Sequence, residues 1–149
     1  MLEPPGPGAF PRYPITEDLA FLRRQVHEYL VSLGFGERQR IDFVLAVNEA
    51  LGNVLEHADG TGTLTLRHDA DHAIAEISDT AGLLTDPDAG SSRPPPDAYR
   101  GYGLWLMREL CDSVEISADE RGSVVRLRMR RPAVPQQRRR GNDPRSRHG

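Results

Sequence analysis

The stretch that decides the fold is residues 45–58, which reads LAVNEALGNVLEHA. It lies in a helical pattern that covers residues 37–58. On a wheel at about 100° per residue, apolar side chains of this helix cover roughly 220°, which predicts a mostly buried helix. The polar side chains share a strip about 100° wide: Asp42, Glu49, Asn53, Glu56 and His57. Glu49 and Asn53 lie one turn apart, so a carboxylate and an amide sit side by side on a strip that faces either solvent or a pocket.

The sequence on both sides of this helix has patterns of its own. Thr16 is predicted to cap a helix before it. In chain order, the predicted elements are a helix over 19–33, the helix over 37–58, strands over 63–67 and 73–78 joined by a polar turn at 69–71, a helix over 104–110, and strands around 114–116 and 125–130. Because the strands come in consecutive pairs with helices between the pairs, the fold class is α+β rather than a βαβ parallel sheet.

Prolines indicate where the folded domain begins and ends. Two Pro-free blocks, 15–86 and 97–131, are separated by a loop rich in Pro, Gly, Ser and Asp. The sequence therefore predicts one folded domain over 10–131. Residues 1–9 are predicted to be a mobile tail, and residues 132–149 a disordered, Arg-rich tail.

The composition excludes several kinds of phosphate and carbonyl chemistry. The chain has 149 residues, 38% hydrophobic and 28% charged, which fits one ordinary domain. All 19 basic residues other than His are Arg, and there is no Lys. A GxxxxGK phosphate loop, a Schiff-base enzyme and an SxxK acylase are therefore impossible. Any phosphate must be held by Arg, backbone amides or a metal ion.

The charge is unevenly distributed along the chain. Residues 1–125 hold 10 Arg and 21 acidic residues, whereas residues 126–149 hold nine Arg and one acidic residue. The acidic body makes nucleic acid an unexpected partner. Cys111 is the only cysteine, which excludes an internal disulfide and suits a reducing cytosol. With no basic leader and no long apolar run, the sequence predicts a cytoplasmic protein without a membrane segment.

Two further features could belong to a site. Asp79 shares the parity of the core-facing residues of its strand, where an unpaired carboxylate would be costly to bury. It either needs a hydrogen-bond partner or simply begins a turn. The run Arg100-Gly101-Tyr102-Gly103-Leu104 leads into a helix, where glycines and the helix dipole suit an anion, although such a run can also be an ordinary turn.

Taken in order, these motifs resemble the GHKL (Bergerat-fold) ATP-binding superfamily, and within it the anti-sigma factor serine kinases. Residues 45–58 resemble its N box, 79–82 (DTAG) its G1 box and 101–106 (GYGLWL) its G2 box. The resemblance covers residues 15–129. It implies a two-layer α+β sandwich in which about three helices cover one face of a mixed, mainly antiparallel sheet.

The resemblance also implies roles for individual residues toward ATP and Mg²⁺. Asn53 would hold Mg²⁺, and Glu49 would be the general base for the attacking hydroxyl. Asp79 would accept a hydrogen bond from the adenine amino group. Ser123 stands where the family usually has a Thr that assists adenine recognition.

The remaining implied positions surround the nucleotide. Gly101 and Gly103 would hold the phosphates with backbone amides, together with the adjacent Tyr102 and Leu104. Residues 83–100 would form the lid. In the G1 box the family has Gly two residues after the Asp, whereas this chain has Ala81 there and Gly82 one residue later. A Cβ at this position could crowd the adenine. Both residues are taken as part of the cofactor site.

The function implied is that of a Mg-ATP-dependent protein serine/threonine kinase and anti-sigma factor. Such a protein binds a sigma factor, phosphorylates a Ser on an anti-anti-sigma protein and forms a homodimer. The alternative is a catalytically weak or inactive, nucleotide-gated protein-binding module of the same fold, which the Ala81 departure favours. Nucleic-acid binding through the Arg-rich tail is a third, less favoured hypothesis.

Overall fold

Five strands and three helices are found in the part of the chain that the computed structural model describes, residues 10–57, 61–80 and 102–133. In chain order they are β1 (Arg12–Pro14), α1 (Leu19–Ser32), α2 (Glu37–His57), β2 (Gly62–His68), β3 (His72–Asp79), α3 (Tyr102–Leu110), β4 (Ser113–Asp119) and β5 (Gly122–Arg130). Every predicted helix and strand is present, and β1 is an additional strand. The predicted tails and lid lie largely or wholly outside the described residues.

The strands form one sheet in the order β1-β2-β3-β5-β4. All four pairings in the described ranges are antiparallel, so this part of the sheet is purely antiparallel rather than mixed. Strand β3 lies at the centre, and the chain passes through α3 between β3 and the edge strand β4. The predicted α+β class and its helix-covered sheet are confirmed.

The core lies between the three helices and one face of the sheet. In the central strand β3, Ala73, Ala75 and Ile77 point into it, as the alternating pattern predicted. Each helix contributes side chains spaced three or four residues apart. The buried ones are Leu22, Val26 and Leu30 in α1, Phe43, Ala46, Val47, Ala50, Leu51 and Val54 in α2, and Met107 in α3. This packing fixes α2 across the sheet.

Helix α1 begins at Leu19 as predicted, but its capping residue differs from the predicted Thr16. Asp18 is the N-cap, because its Oδ1 accepts a hydrogen bond from the Phe21 amide at 3.1 Å. Thr16 instead accepts a hydrogen bond at its Oγ1 from the Asp18 amide, at 3.2 Å. The prediction that Thr16 caps the helix is therefore wrong, since Thr16 supports the capping residue rather than the helix itself.

Helix α2 is less completely buried than its apolar arc predicted. Ile41 is 54% exposed and Leu45 40% exposed, although both belong to that arc. The buried residues of α2 occupy only about 140° of the wheel, so one edge of this mostly buried helix is exposed. Of the helices that the structure describes, including the 21-residue α2, none is long and apolar enough to cross a bilayer.

The opposite face of the sheet carries a ladder of ion pairs. Glu76 on β3 accepts hydrogen bonds from Arg67 at 3.0 Å and from Arg126 at 2.6 Å. Glu115 on β4 pairs with Arg126 at 3.1 Å and with Arg128 at 2.9 Å. Burial alone would raise the pKa of Glu76, but these arginines lower it overall. The alternating Arg residues of β5 are thus partly neutralised by carboxylates on neighbouring strands.

Cys111 lies directly after α3, in the core between that helix and the sheet. Its amide donates a hydrogen bond to the Met107 carbonyl at 3.0 Å, which continues the helical pattern by one residue. Burial raises the pKa of the Cys111 thiol to about 12, and the nearby carboxylates of Asp112 and Asp42 act in the same direction. The thiol is therefore protonated at neutral pH.

Candidate functional site

A carboxylate and a hydroxyl meet at the end of the central strand. Asp79 is the last residue of β3 and is only 7% exposed, and the sheet register places it opposite Ser123 of β5. The Ser123 hydroxyl donates a hydrogen bond to Asp79 Oδ2 at 2.6 Å. The sequence left open whether this inward carboxylate needs a partner or only begins a turn, and Ser123 is one such partner. The Ser123 hydroxyl uses one of the roughly four acceptor positions that a carboxylate has.

Gly122 makes this close approach possible. Its φ is +131°, and a Cβ added to it would overlap the carbonyl oxygen of Asp79 and lie 2.8 Å from Thr80 Cα. Only glycine combines this conformation with such contact. The part that Gly122 plays in holding Ser123 beside Asp79 was not predicted from the sequence. The available signal was a glycine immediately after the polar pair Glu120 and Arg121, at a hairpin turn.

A second group of polar side chains lies where α2 meets the start of α3. A Cβ added to Gly103 would lie 3.1 Å from Glu49 Oε1 and 3.8 Å from Asn53 Nδ2. Both polar residues are half-buried. The polar strip of α2 at this point therefore faces the first turn of α3 rather than open solvent. Glu49 and Asn53 thus lie against α3, and their part in a ligand pocket stays a prediction.

Gly62 connects these two groups. It pairs with Asp79 in the β2-β3 register, and a Cβ on it would lie 2.8 Å from Val54 Cγ1 and 2.9 Å from Ser78 O. Since Val54 follows Asn53 in α2, the second half of α2 passes over the sheet end that carries Asp79. The strand ends, the second half of α2 and the start of α3 therefore converge on one region of the domain.

Of the remaining predicted site residues, only Tyr102 and Leu104 lie within the described residues. Leu104 lies in the first turn of α3 and packs against the core, and Tyr102 provides the first backbone residue of the helix. The predicted positions Ala81, Gly82 and Gly101 lie outside the described residues. The site can thus be described at Glu49, Asn53, Asp79, Gly103, Leu104 and Ser123.

The donor atoms of this region suit a hard divalent cation shared with a ligand. In the described ranges, no three His, Cys, Asp or Glu side chains come together as a metal cluster. Asn53 can offer an amide oxygen, a ligand type that Mg²⁺ accepts when phosphates and water complete its shell, and the Glu49 carboxylate lies one helical turn away. Because Gly103 has no side chain, the first turn of α3 can lie close to both residues. The residues present therefore fit Mg²⁺ bound together with a phosphate ester.

Comparison with known proteins identifies the class of domain. The sequence model of the family described as "Histidine kinase-like ATPase domain" matches residues 15–129. The chain belongs to this family, and the resemblance to the GHKL superfamily is confirmed. A search of curated protein sequences found no match.

Two solved structures are similar to this chain. The first is the crystal structure of the RsbU and RsbW domains of Rv1364c from Mycobacterium tuberculosis, with 20% identity and a TM-score of 0.58. That similarity covers 83% of this chain and 34% of the other, so this chain spans about a third of that protein's length. The second is the NMR structure of the histidine kinase domain of the Escherichia coli osmosensor EnvZ, with 14% identity and a TM-score of 0.48, covering 75% of this chain and 88% of that one. The first similarity supports the fold.

Proposed function

We propose that this chain is a Mg-ATP-dependent protein serine/threonine kinase that acts as an anti-sigma factor. The observation that carries the proposal is the contact of the first turn of α3 with Glu49 and Asn53, at Gly103. It brings a carboxylate, a side-chain amide and a helix N-terminus to one place, and the buried Asp79 lies at the sheet end over which α2 passes. Membership of the ATPase family agrees with a nucleotide as the ligand.

The base of the nucleotide would be recognised at the sheet end. One oxygen of the Asp79 carboxylate accepts from Ser123, which holds the group in a fixed orientation. Another lone pair of the same carboxylate can accept the exocyclic amino group of adenine. A guanine base presents a carbonyl oxygen at that position, and a carboxylate would repel it. Asp79 therefore favours adenine over guanine.

The phosphates would lie between α2 and the start of α3. Backbone amides of the first turn of α3 and the positive end of its dipole face this region, and the absence of a Gly103 side chain allows close approach. Asn53 would contribute its amide oxygen to the shell of Mg²⁺. When bound, Mg²⁺ would neutralise charge that develops on the phosphates.

Glu49 would act on the attacking group. Its carboxylate lies one turn before Asn53 in α2 and faces the same space. It can accept the proton of a serine hydroxyl as that oxygen attacks the terminal phosphate of ATP, with ADP as the leaving group. The chain itself has no Lys, so this arrangement uses a carboxylate, an amide and backbone groups instead.

The partners proposed follow from the sequence resemblance. We infer a sigma factor as the sequestered protein, a Ser on an anti-anti-sigma protein as the phosphate acceptor, a homodimer and a cytoplasmic location. The alternative function is a nucleotide-gated binding module with little or no transfer activity. It is favoured by Ala81, which stands where the family's G1 box has Gly.

Phosphate transfer separates the two functions. The full chain is incubated with Mg²⁺, [γ-³²P]ATP and each purified anti-anti-sigma protein of the source organism. We expect label on one acceptor, lost when its acceptor Ser is replaced by Ala. ATP binding without transfer to any of these proteins would support the binding module and contradict the kinase.

The metal-binding role of Asn53 gives a quantitative prediction. Asn53→Ala should weaken Mg-ATP binding by about tenfold, because one oxygen ligand is lost. In EDTA the affinities of wild type and variant should agree within about twofold. Isothermal titration calorimetry measures both. Asn48→Ala is the matched control, since Asn48 is an amide on the same helix that accepts a hydrogen bond from Arg23 instead. Equal Mg-ATP affinities for wild type and Asn53→Ala would contradict the assignment.

A further inference from the structure

A groove of about 590 Å³ lies between α1 and α2, along the edge of α2 that the core does not cover. Its floor is apolar and consists of Ala20, Ile41, Val44 and Leu45. Ile41 and Leu45 are the exposed members of the apolar arc of α2, and they lie one helical turn apart. Two adjacent exposed aliphatic side chains would gain free energy if a partner covered them.

The rim of the groove is positively charged. Arg23, Arg24, Arg40 and His27 line it, and no carboxylate is among its lining residues. Arg23 donates to Asn48 Oδ1 at 3.0 Å, while Arg40 donates to His27 Nε2 at 3.1 Å and to a backbone carbonyl at 2.7 Å. Hydrogen bonds thus hold two of the arginines along the groove. Within the described ranges, none of the three arginines that line the groove forms an ion pair with a carboxylate.

We propose that this groove docks an acidic amphipathic helix of a partner protein. Two apolar side chains of that helix, spaced three or four residues apart, would pack on Ile41 and Leu45. Asp or Glu side chains flanking them would pair with Arg23, Arg24 and Arg40. A helix is the expected shape because the groove is formed by two helices and includes no strand edge with free backbone groups.

The charge of the rim argues against the other occupants. A second copy docked by twofold symmetry would place the same arginines opposite one another. The Arg-rich segment at the end of this chain, which includes Arg138, Arg139 and Arg140, has the same sign as the rim. A nucleic acid would satisfy the arginines, but its phosphate backbone gains nothing from the aliphatic floor.

The groove adjoins the candidate catalytic residues without sharing them. Asn48 lines the groove, and the next residue, Glu49, faces α3. A helix bound here would therefore lie alongside the nucleotide region. Docking at this groove does not depend on the proposed phosphate transfer, because the groove is formed by α1 and the outer edge of α2.

The test uses a fluorescein-labelled peptide of about 18 residues, with Leu at one helical face and Glu elsewhere, and fluorescence anisotropy with the full chain. We expect saturable binding that weakens as salt rises from about 50 mM to about 300 mM. Leu45→Glu should weaken binding by about tenfold or more. Val31→Glu is the matched control, since Val31 is 50% exposed on α1 but lies outside the groove lining, and it should change binding by less than about twofold.

Charge reversal tests the rim in the same way. Arg24→Glu should weaken binding by about tenfold, whereas reversal of the exposed Arg38, outside the lining, should have little effect. Circular dichroism on each variant checks that it is folded. A scrambled peptide of the same composition, which has no apolar face, controls for attraction to the Arg-rich end of the chain and should bind at least about tenfold more weakly.

Several results would overturn the proposal. Failure of the peptide to bind, or equal binding of the scrambled peptide, would exclude an amphipathic ligand. Equal affinities of Leu45→Glu and Val31→Glu would place binding elsewhere. If Leu45→Glu no longer self-associated in sedimentation, the groove would be assigned to a second copy. If duplex DNA displaced the peptide from the wild type but not from the groove variants, the groove would be assigned to nucleic acid. None of these measurements uses ATP, so their results do not depend on whether the chain is a kinase.

Discussion

Replacement of Glu49 by Gln is expected to lower the rate of phosphate transfer by about 10²–10⁴-fold, because it removes the general base but keeps the size of the side chain. Mg-ATP affinity should stay within about twofold of wild type, since Asn53 and the first turn of α3 are unchanged. Single-turnover transfer of ³²P to the anti-anti-sigma acceptor measures the rate, and calorimetry measures the affinity.

The control for this variant is Glu37→Gln. Glu37 is an exposed carboxylate at the opposite end of the same helix, so its replacement should leave transfer unchanged. Transfer by Glu49→Gln at the wild-type rate would show that Glu49 is not the base. A parallel loss of rate and affinity would instead indicate that Glu49 helps to hold the metal and phosphates.

The second large effect concerns stability. Gly122→Ala should destabilise the domain by about 3 kcal/mol, because alanine is strained at a φ of +131° and its Cβ would meet the Asp79 carbonyl oxygen. Urea unfolding measures the change. The substitution should also weaken ATP binding, since the clash would move Ser123 away from Asp79.

Gly52→Ala provides a control with the opposite expected sign. Gly52 lies within α2, and nothing lies within 4 Å of a Cβ added to it. Alanine there should stabilise the helix by about 0.5–1 kcal/mol. If both variants unfolded at the wild-type urea concentration, the close approach of β5 to the end of β3 would not limit stability.

Long periodic segments account for the success of the fold prediction. Helix α2 and strands β3 and β5 have apolar residues repeating over many positions, so their type and approximate bounds follow from the pattern. Strand β1 could not be predicted, because it has three residues, ends in Pro14 and pairs along one edge of β2 only. Its existence depends on a partner distant in sequence rather than on its own pattern.

The candidate site was predictable in its residue types but not in its assembly. The parity of Asp79 indicated a buried carboxylate that needed a partner, and the register of β3 with β5 supplied Ser123. The pattern could not indicate that α3 would begin against Glu49, since that contact depends on how two helices distant in sequence pack together. The roles of these residues toward ATP remain predictions.

Exposure was the least predictable property. A helical wheel gives the polarity of each face but not which neighbours cover it, so the exposure of Ile41 and Leu45 could not be predicted. Ile74 shows the opposite error, since it is buried where exposure was expected. It alternates with the core-facing Ala73 and Ala75, which places it on the polar face of β3. It is only 1% exposed, and the register sets it between Arg67 and Arg128, whose long side chains flank it.

The position of Cys111 makes the chain's only thiol an internal reporter of motion. A thiol that is buried and protonated reacts with alkylating reagents only after local opening. Because Cys111 directly follows α3 and its amide is bonded to Met107, that opening amounts to separation of α3 from the sheet. The rate of alkylation in the native state would therefore follow the detachment of the helix that begins at the candidate phosphate site, without any added label on the rest of the chain.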